Sequence, residues 1–314
     1  MASAASESNG LRARRSGGLW TRLVRDRYLY LLALPGMFYF VLFHYMPMWG
    51  IAIAFQNYSP FRGIQGSEWV GFAQFARLFH HPDFLLIFRN TFAISLLNIL
   101  FFFPAPILLA LLLNEIRSAL YKRTIQTVLY LPHFVSWVVI VSLSISMMNS
   151  GGAITALLKS MGIHTQLLMD KSLFWGIITI QSIWKDAGWG TIIFLAALSG
   201  IHPELYEAAR VDGANRWKQM TKITLPGIMT TIVILLILRL GQILSLSFDQ
   251  LFLMGNSLVR DVAEIFDTYV YKVGVMQGNF SFATAVGLFK SVVGLVFILS
   301  ANYLARKTSD NALF

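Results

Sequence analysis

Six stretches of this chain run for more than twenty residues with almost no charge, at about 29–55, 87–113, 125–149, 173–199, 226–250 and 283–304. Runs of that length leave few choices of fold. About 20 apolar residues in a helix cross roughly 30 Å of hydrocarbon. In lipid, a segment must satisfy its own backbone N–H and C=O groups, which only helices and closed barrels achieve. The alternating pattern of a membrane barrel is absent. The sequence therefore predicts an all-α integral membrane protein with six transmembrane helices. Its composition agrees, with 56% hydrophobic residues and 13% charged, where a soluble chain carries about 25% charged. The first stretch is too long for a cleaved signal peptide, and no small-residue cleavage site follows it.

Charge sets orientation rather than partner class. The net charge of +10 is spread between apolar runs and forms no nucleic-acid-binding patch or motif. Counting from the first span, the tail, the second and fourth connections and the C-terminus hold fifteen Lys and Arg. The first, third and fifth connections hold six. By the positive-inside rule both termini face the cytoplasm. With no cysteine, a thiol nucleophile, a disulfide framework and a Cys-based metal site are excluded.

The fourth connection is a polar island, EAARVDGANRWKQMTKITLP at 207–226. Pro203 suits a first helical turn and Glu204 lies near its positive end. That helix is expected to run to about Asp212. Gly213 is free to end it in a left-handed conformation, and a second short helix follows with Trp217, Met220 and Ile223 on one face. Pro226 is expected to open the fifth span. Such a unit suits either a groove on another protein or the lipid surface.

Glu207-Ala208-Ala209, then Gly213, then nine intervening residues and Ile223-Thr224-Leu225-Pro226, resembles the EAA loop of ATP-binding-cassette importer permeases. The segment FHYMPMWGIAIAFQNYSPFRGIQGSEWVGFAQFARLF at 43–79 looks like the branch that handles oligosaccharides and polysaccharides. The resemblance implies a type I importer permease fold whose coupling helix docks on a cytoplasmic ATPase. The residues matching the loop pattern are Glu207, Ala208, Ala209, Gly213, Ile223, Leu225 and Pro226. It also implies a second, homologous permease chain, two ATPase subunits that bind ATP and Mg, an extracytoplasmic solute-binding protein and a saccharide substrate, in the bacterial inner membrane.

The layout expected is a basic cytoplasmic tail over 1–27, a first helix and external amphipathic loop over 28–86, a core permease domain over 87–305 that contains the coupling loop 200–226, and a short cytoplasmic tail over 306–314. In the external loop, Trp69, Phe72, Phe75 and Phe79 fall at helical spacing. The 251–282 connection carries Asp261, Glu264 and Asp267, and family resemblance places binding-protein contact on loops of this kind.

The chain has no Gly-Lys dipeptide, so it lacks the phosphate-binding loop of an ATPase. There is no H-E-x-x-H, and His44, His80, His81, His133, His164 and His202 make no ligand spacing. The expected chain is non-catalytic, binds no cofactor or metal, and depends on a partner for energy. The alternative is an ion-coupled carrier using Asp186 or Asp249. It is disfavoured by the EAA loop and by the absence of paired broken halves.

Polar residues inside spans mark the candidate substrate path. Arg239, Gln242, Ser245 and Asp249 would share one face of the fifth span, and Gln181, Lys185 and Trp189 one face of the fourth, with Trp184 and Asp186 alongside. Charges there must face a wet cavity or each other. The plain reading pairs Lys185 with Asp249 or Arg239 with Asp186. The sharper one is a passage in which Trp faces stack on sugar rings. Arg89, Lys185, Arg239 and Lys290 outnumber Asp186 and Asp249, which points to an acidic sugar such as alginate.

Overall fold

The computed structural model describes Val24 and residues 26–308, so most of the basic tail and the last six residues lie outside the described residues. The chain divides into two compact units, Met1–Ala52 and Ile53–Phe314. In the first, α1 (Arg27–Phe40) continues through a π-turn over Val41–Tyr45 into a 3-10 stretch beginning at Met46. Its side chains, among them Leu32, Phe38, Phe43 and Trp49, are exposed, as a lipid-facing helix requires.

The second unit begins with a two-stranded antiparallel ribbon, β1 (Gln56–Asn57) against β2 (Glu68–Trp69), and then α2 (Ala73–Phe79). This corrects the expected amphipathic helix. Trp69 lies in the ribbon and only Phe75 and Phe79 lie in α2, yet the aromatics still cluster, because Phe55 packs on Trp69, Phe72 and Phe75.

The second span joins α3 (Phe84–Leu97) to α4 (Pro104–Asn114) through a π-turn at Asn98–Phe102. Pro104 cannot donate a backbone hydrogen bond. The π-turn absorbs the mismatch, with Phe103 N–H donating to Asn98 C=O at 2.8 Å. It also turns the Asn98 side chain inward, where it is buried.

Two predicted spans are not single helices. The stretch at 125–149 is α5 (Ala119–Tyr130), a 3-10 break at Leu131–Phe134 and α6 (Trp137–Met148). Pro132 sits at the start of the break, and Ser136 caps α6 by accepting from the Val139 N–H. Helix α7 (Ala153–Ser160) follows, and then α8 (Lys171–Ser199), which is continuous over 29 residues. The loop helices α9 (Pro203–Val211) and α10 (Arg216–Gln219) come next. The stretch at 226–250 is α11 (Met229–Gly241), an unwound segment and α12 (Phe248–Met254). The chain bends by 56° between Arg216–Gly227 and Met229–Gly241, so Pro226 precedes the bend and Met229 opens the span. Helix α13 (Phe266–Val270) leads to the last span, α14 (Phe280–Thr308).

By length and hydropathy, four described helices are able to cross a membrane, namely Arg27–Phe55, Phe84–Asn114, Trp137–Ser160 and Phe280–Lys307. The bent pair makes a fifth. Helix α8 is long enough to cross but carries Lys185 and Asp186 at mid-length.

Three apolar clusters hold this unit together. Ile107, Leu111, Phe194, Leu198 and Ile228 pack at the end nearest the polar island. Ile94, Val141, Ile178 and Leu251 pack around the breaks. Ile87, Leu244, Phe266 and Phe282 form the third, with α2 and α13. Where α11 crosses α14, a Cβ at Gly294 would meet the Gly241 carbonyl and a Cβ at Gly241 would meet Ile298, the small-residue crossing expected between membrane helices.

Candidate functional site: a surface loop and a polar cavity

The first helix and turn of the polar island fold as the sequence predicts, but the second helix ends at Gln219, which puts Met220 and Ile223 in a π-turn, and Pro226 lies before the bend instead of opening the span. Helix α9 ends with Gly213 at φ 72°, Gly213 N–H donating to Arg210 C=O and Ala214 N–H to Ala209 C=O. This is the paired closure that a left-handed residue after a helix permits. Asn215 caps α10 by accepting from the Lys218 N–H at 2.9 Å. A π-turn at Met220–Thr224 carries the chain on, and the Tyr206 hydroxyl bonds Thr224 Oγ1 at 3.0 Å, tying the two arms. Ile223 and Leu225 are half-buried at the base of the loop. Glu207, Ala208, Gly213 and Pro226 are exposed, and Ala209 is half-buried.

The loop presents apolar side chains outward. Leu205, Val211 and Trp217 are 52%, 88% and 68% exposed, which is unusual for a turn held this firmly. Beside them an open cleft of about 870 Å³ is lined by Glu115, Arg117, Glu207, Arg210 and Arg216. Arg216 reaches Glu115 of the preceding connection at 3.4 Å.

The candidate path residues separate into groups. Lys185 is buried, and its ammonium donates to the carbonyls of His133 and Val135 at 2.8 and 2.6 Å, filling the break between α5 and α6. Neither expected ion pair forms. Asp186 instead takes His133 Nδ1 at 2.8 Å, and the His133 ring stacks on Trp189 at 4.5 Å. Trp184 and Trp189 are 53% and 43% exposed. Gln181 is buried, accepting from Gln250 at 3.0 Å. Gln181, Lys185 and Trp189 therefore share a side of α8 but not an environment.

The four polar residues expected on one face of the fifth span are divided by the unwound segment after Gly241. Arg239 and Ser245 line a cavity of about 140 Å³ with Asn98, Phe102, Trp137, Ser182, Asp186, Ser247 and Gln250. Gln242 joins Arg239, Ser245 and Asn98 around a smaller adjoining space. Asp249 lies in the first turn of α12, exposed and outside that lining.

The span cations are accounted for one by one. Lys290 pairs with Asp267. Arg89 donates to the Asp261 carbonyl at 2.7 Å, and Lys185 fills the break. Arg239 lies over the Phe102 ring at 5.3 Å and makes neither a hydrogen bond nor an ion pair among the described residues. The acids of the 251–282 connection are ties within the chain. Glu264 is buried against Lys272 at 2.6 Å. Asp261 meets Lys171 at 2.5 Å, and that ammonium holds its carboxyl below the usual carboxylate range.

Sequence reasoning missed Asn98, Ser182 and Gln250, and set His133 aside as making no ligand spacing. His133 had a signal in the adjacent Pro132, and Asn98 in the Pro104 and Pro106 that follow it.

Residues 102–310 match the family model described as binding-protein-dependent transport system inner membrane component. The chain is 54% identical to Protein LplB of Bacillus subtilis over 93% of this chain and 92% of that protein. It is 51% identical to the polygalacturonan/rhamnogalacturonan transport system permease protein YteP of the same organism, over 94% and 93%. A chain in the crystal structure of a bacterial alginate ABC transporter, in complex with alginate pentasaccharide-bound periplasmic protein, superposes with a TM-score of 0.86 at 38% identity, covering 95% of this chain and 100% of that one.

Proposed function

Because the chain belongs to the binding-protein-dependent transport system inner membrane components, a family of non-catalytic permease subunits, we propose that it forms half of the path by which an acidic oligo- or polysaccharide enters the cell. The 200–226 loop is the coupling element. A second, homologous permease completes the path, two ATPase subunits that bind ATP and Mg dock beneath, and a solute-binding protein delivers the saccharide from outside. Both termini and the coupling loop face the cytoplasm, in keeping with the distribution of Lys and Arg. The layout of tail, first helix with external loop, and core domain from residue 87 is part of the same reading.

The coupling loop is the observation that carries this. A firmly closed turn displaying Leu205, Val211 and Trp217 beside Glu207 suits a cleft on another protein better than water. Closure of the ATPase dimer on ATP would draw two such loops together, and the bend between Gly227 and Met229 lies on the route from loop to span. ATP binding then acts as the ligand that shifts an inward-open population to an outward-open one. The relatives named for polygalacturonan/rhamnogalacturonan and for alginate favour an acidic saccharide. So does Arg239, which makes no hydrogen bond or ion pair among the described residues.

The test is ATP hydrolysis by the reconstituted complex, stimulated by binding protein loaded with an acidic oligosaccharide. Gly213→Val forces a β-branched residue into a left-handed backbone, at a cost of about 1–3 kcal/mol. The expected outcome is normal membrane insertion with stimulation lowered several-fold. Wild-type stimulation in that variant would remove the loop from the coupling role.

A further inference from the structure

Two polar groups in the membrane-level cavity have no hydrogen-bond partner among the described residues. Asn98 is 5% exposed, and its Oδ1 is buried with no donor. Arg239 carries five N–H donors and, among the described residues, bonds to no acceptor. A buried polar atom left unpartnered, as Asn98 Oδ1 is, is expensive; Arg239 is half-buried, and a guanidinium at membrane depth needs a wet cavity or an anion beside it. Both groups line the same cavity of about 140 Å³, space for a few waters or a carboxylate with one neighbouring hydroxyl at about 30 Å³ per water.

The local backbone is what places them. The π-turn at Asn98–Phe102 turns Asn98 inward, and α11 stops at Gly241, so Arg239 sits in a last helical turn with unwound chain beyond it. Ser182, Ser245, Ser247 and Gln250 complete the polar wall. The one carboxylate on that wall, Asp186, has Oδ1 taken by His133. Arg239 is the one cation on the wall and forms no ion pair with Asp186 among the described residues, while the Lys185 ammonium is held by the carbonyls of the neighbouring break.

The geometry points to a carboxylate subsite: Arg239 takes the carboxylate of one uronate unit in a bidentate pair, and Asn98 Oδ1 accepts from a hydroxyl of the same unit. This rests on the saccharide reading above and deepens it. An acceptor beside a fork of donors matches a carboxylate flanked by a hydroxyl, whereas a neutral hexose offers the fork no anion. The fork geometry matters because a planar guanidinium binds a carboxylate through two parallel bonds, which an ammonium does not reproduce. The cavity admits one unit's polar edge at a time, so a chain would be handed through by its carboxylates in turn.

The experiment uses the whole complex in proteoliposomes, with binding protein saturated by oligogalacturonate, and follows import together with the thermal stability of the complex. Losing a charge-assisted hydrogen bond pair predicts a fall in import of about tenfold or more for Arg239→Gln. Arg239→Lys should stay at least about threefold below wild type, because charge without the fork is not enough. Asn98→Leu removes an unpartnered buried oxygen. It should lower import about threefold or more while the complex is as stable as wild type or more so. Wild-type import by Arg239→Lys would mean that charge alone suffices, as in an ion pair with the partner permease, and would overturn the subsite. Wild-type import by Asn98→Leu would overturn it as well. A wild-type complex that imports neutral oligosaccharides but no oligogalacturonate would instead overturn the acidic-substrate reading on which the subsite rests.

Discussion

The third and fifth apolar stretches are both interrupted near the same polar layer, and the two interruptions are finished differently. At Leu131–Ser136 the freed carbonyls of His133 and Val135 are taken by the buried Lys185 ammonium, which also lies 5.6 Å from the Trp137 ring. At Gln242–Ser247 nothing comparable enters. The Ser95 hydroxyl donates to the Ile243 carbonyl and Asp267 accepts from the Leu246 N–H, while Arg239, Ser245 and Asn98 face open space. One break is closed by the chain's own cation, so its polar groups are spent on structure. The other leaves its cation over. The same device, backbone left unpaired at membrane depth beside a protein-lined cavity, therefore serves as scaffold in one span and as a site in the next.

The sharpest way to break the comparison is to empty the first interruption. Lys185→Met keeps the apolar stem and removes both hydrogen bonds. Each carbonyl left buried and unsatisfied costs about 1–3 kcal/mol. The expected outcome is a severalfold loss of assembled complex, measured as ATPase recovered with the tagged permease, and a lower melting temperature for what remains. If Lys185→Met assembles and melts like wild type while losing import, Lys185 belongs to the transport path and the two breaks are alike.

The second interruption can be attacked from its backbone. A side chain at Gly294 would drive into the Gly241 carbonyl, at the point where α11 stops. Gly294→Leu should overpack the α11–α14 crossing by about 1–3 kcal/mol and distort the end of the helix that carries Arg239. The expected result is a drop of a few degrees in melting temperature with a larger proportional loss of import. An equal loss in both would mean that the crossing only holds the fold and does not aim the arginine.

The coupling loop was legible because its instructions are local. Pro203 and Gly213 each act on the turn they occupy, and the structure follows them to within a residue; the Asn215 cap is as local but was not read from the sequence. The polar layer was legible only in part. Arg239 and Lys185 announce themselves as charges in apolar surroundings, but helical spacing assumed an unbroken helix. The unwinding after Gly241 carries Asp249 away from the cavity, and Pro132 sets the break that Lys185 fills. Whether a break stays empty depends on which neighbouring helix brings a cation, and that is a tertiary fact. For the same reason Asn98 went unnoticed and His133 was set aside, since each gains its role from a helix distant in sequence.

Trp189 offers the smallest effect and a finer comparison. One of its faces lies on the His133 ring, interplanar angle 4°, so it leans on the closed break, while its 43% exposure leaves part of the indole uncovered. An aromatic pair of this kind is worth about 0.5–1.5 kcal/mol beyond its buried area. If Trp189 serves only to steady His133 and the closed break, Trp189→Ala should lower the melting temperature slightly and leave import per assembled complex at the wild-type level. A free indole face that meets sugar rings predicts something else: import per complex reduced about two- to tenfold, the ATPase still bound, and most of the rate restored by Trp189→Phe, which keeps an aromatic face. We expect the second outcome. A cycle with His133→Ala checks it, because two residues acting only as a stacked pair give a double variant no worse than either single one. Loss of import that adds across the cycle assigns the uncovered face of Trp189 to the path, and so places a substrate contact even on the side of the closed break.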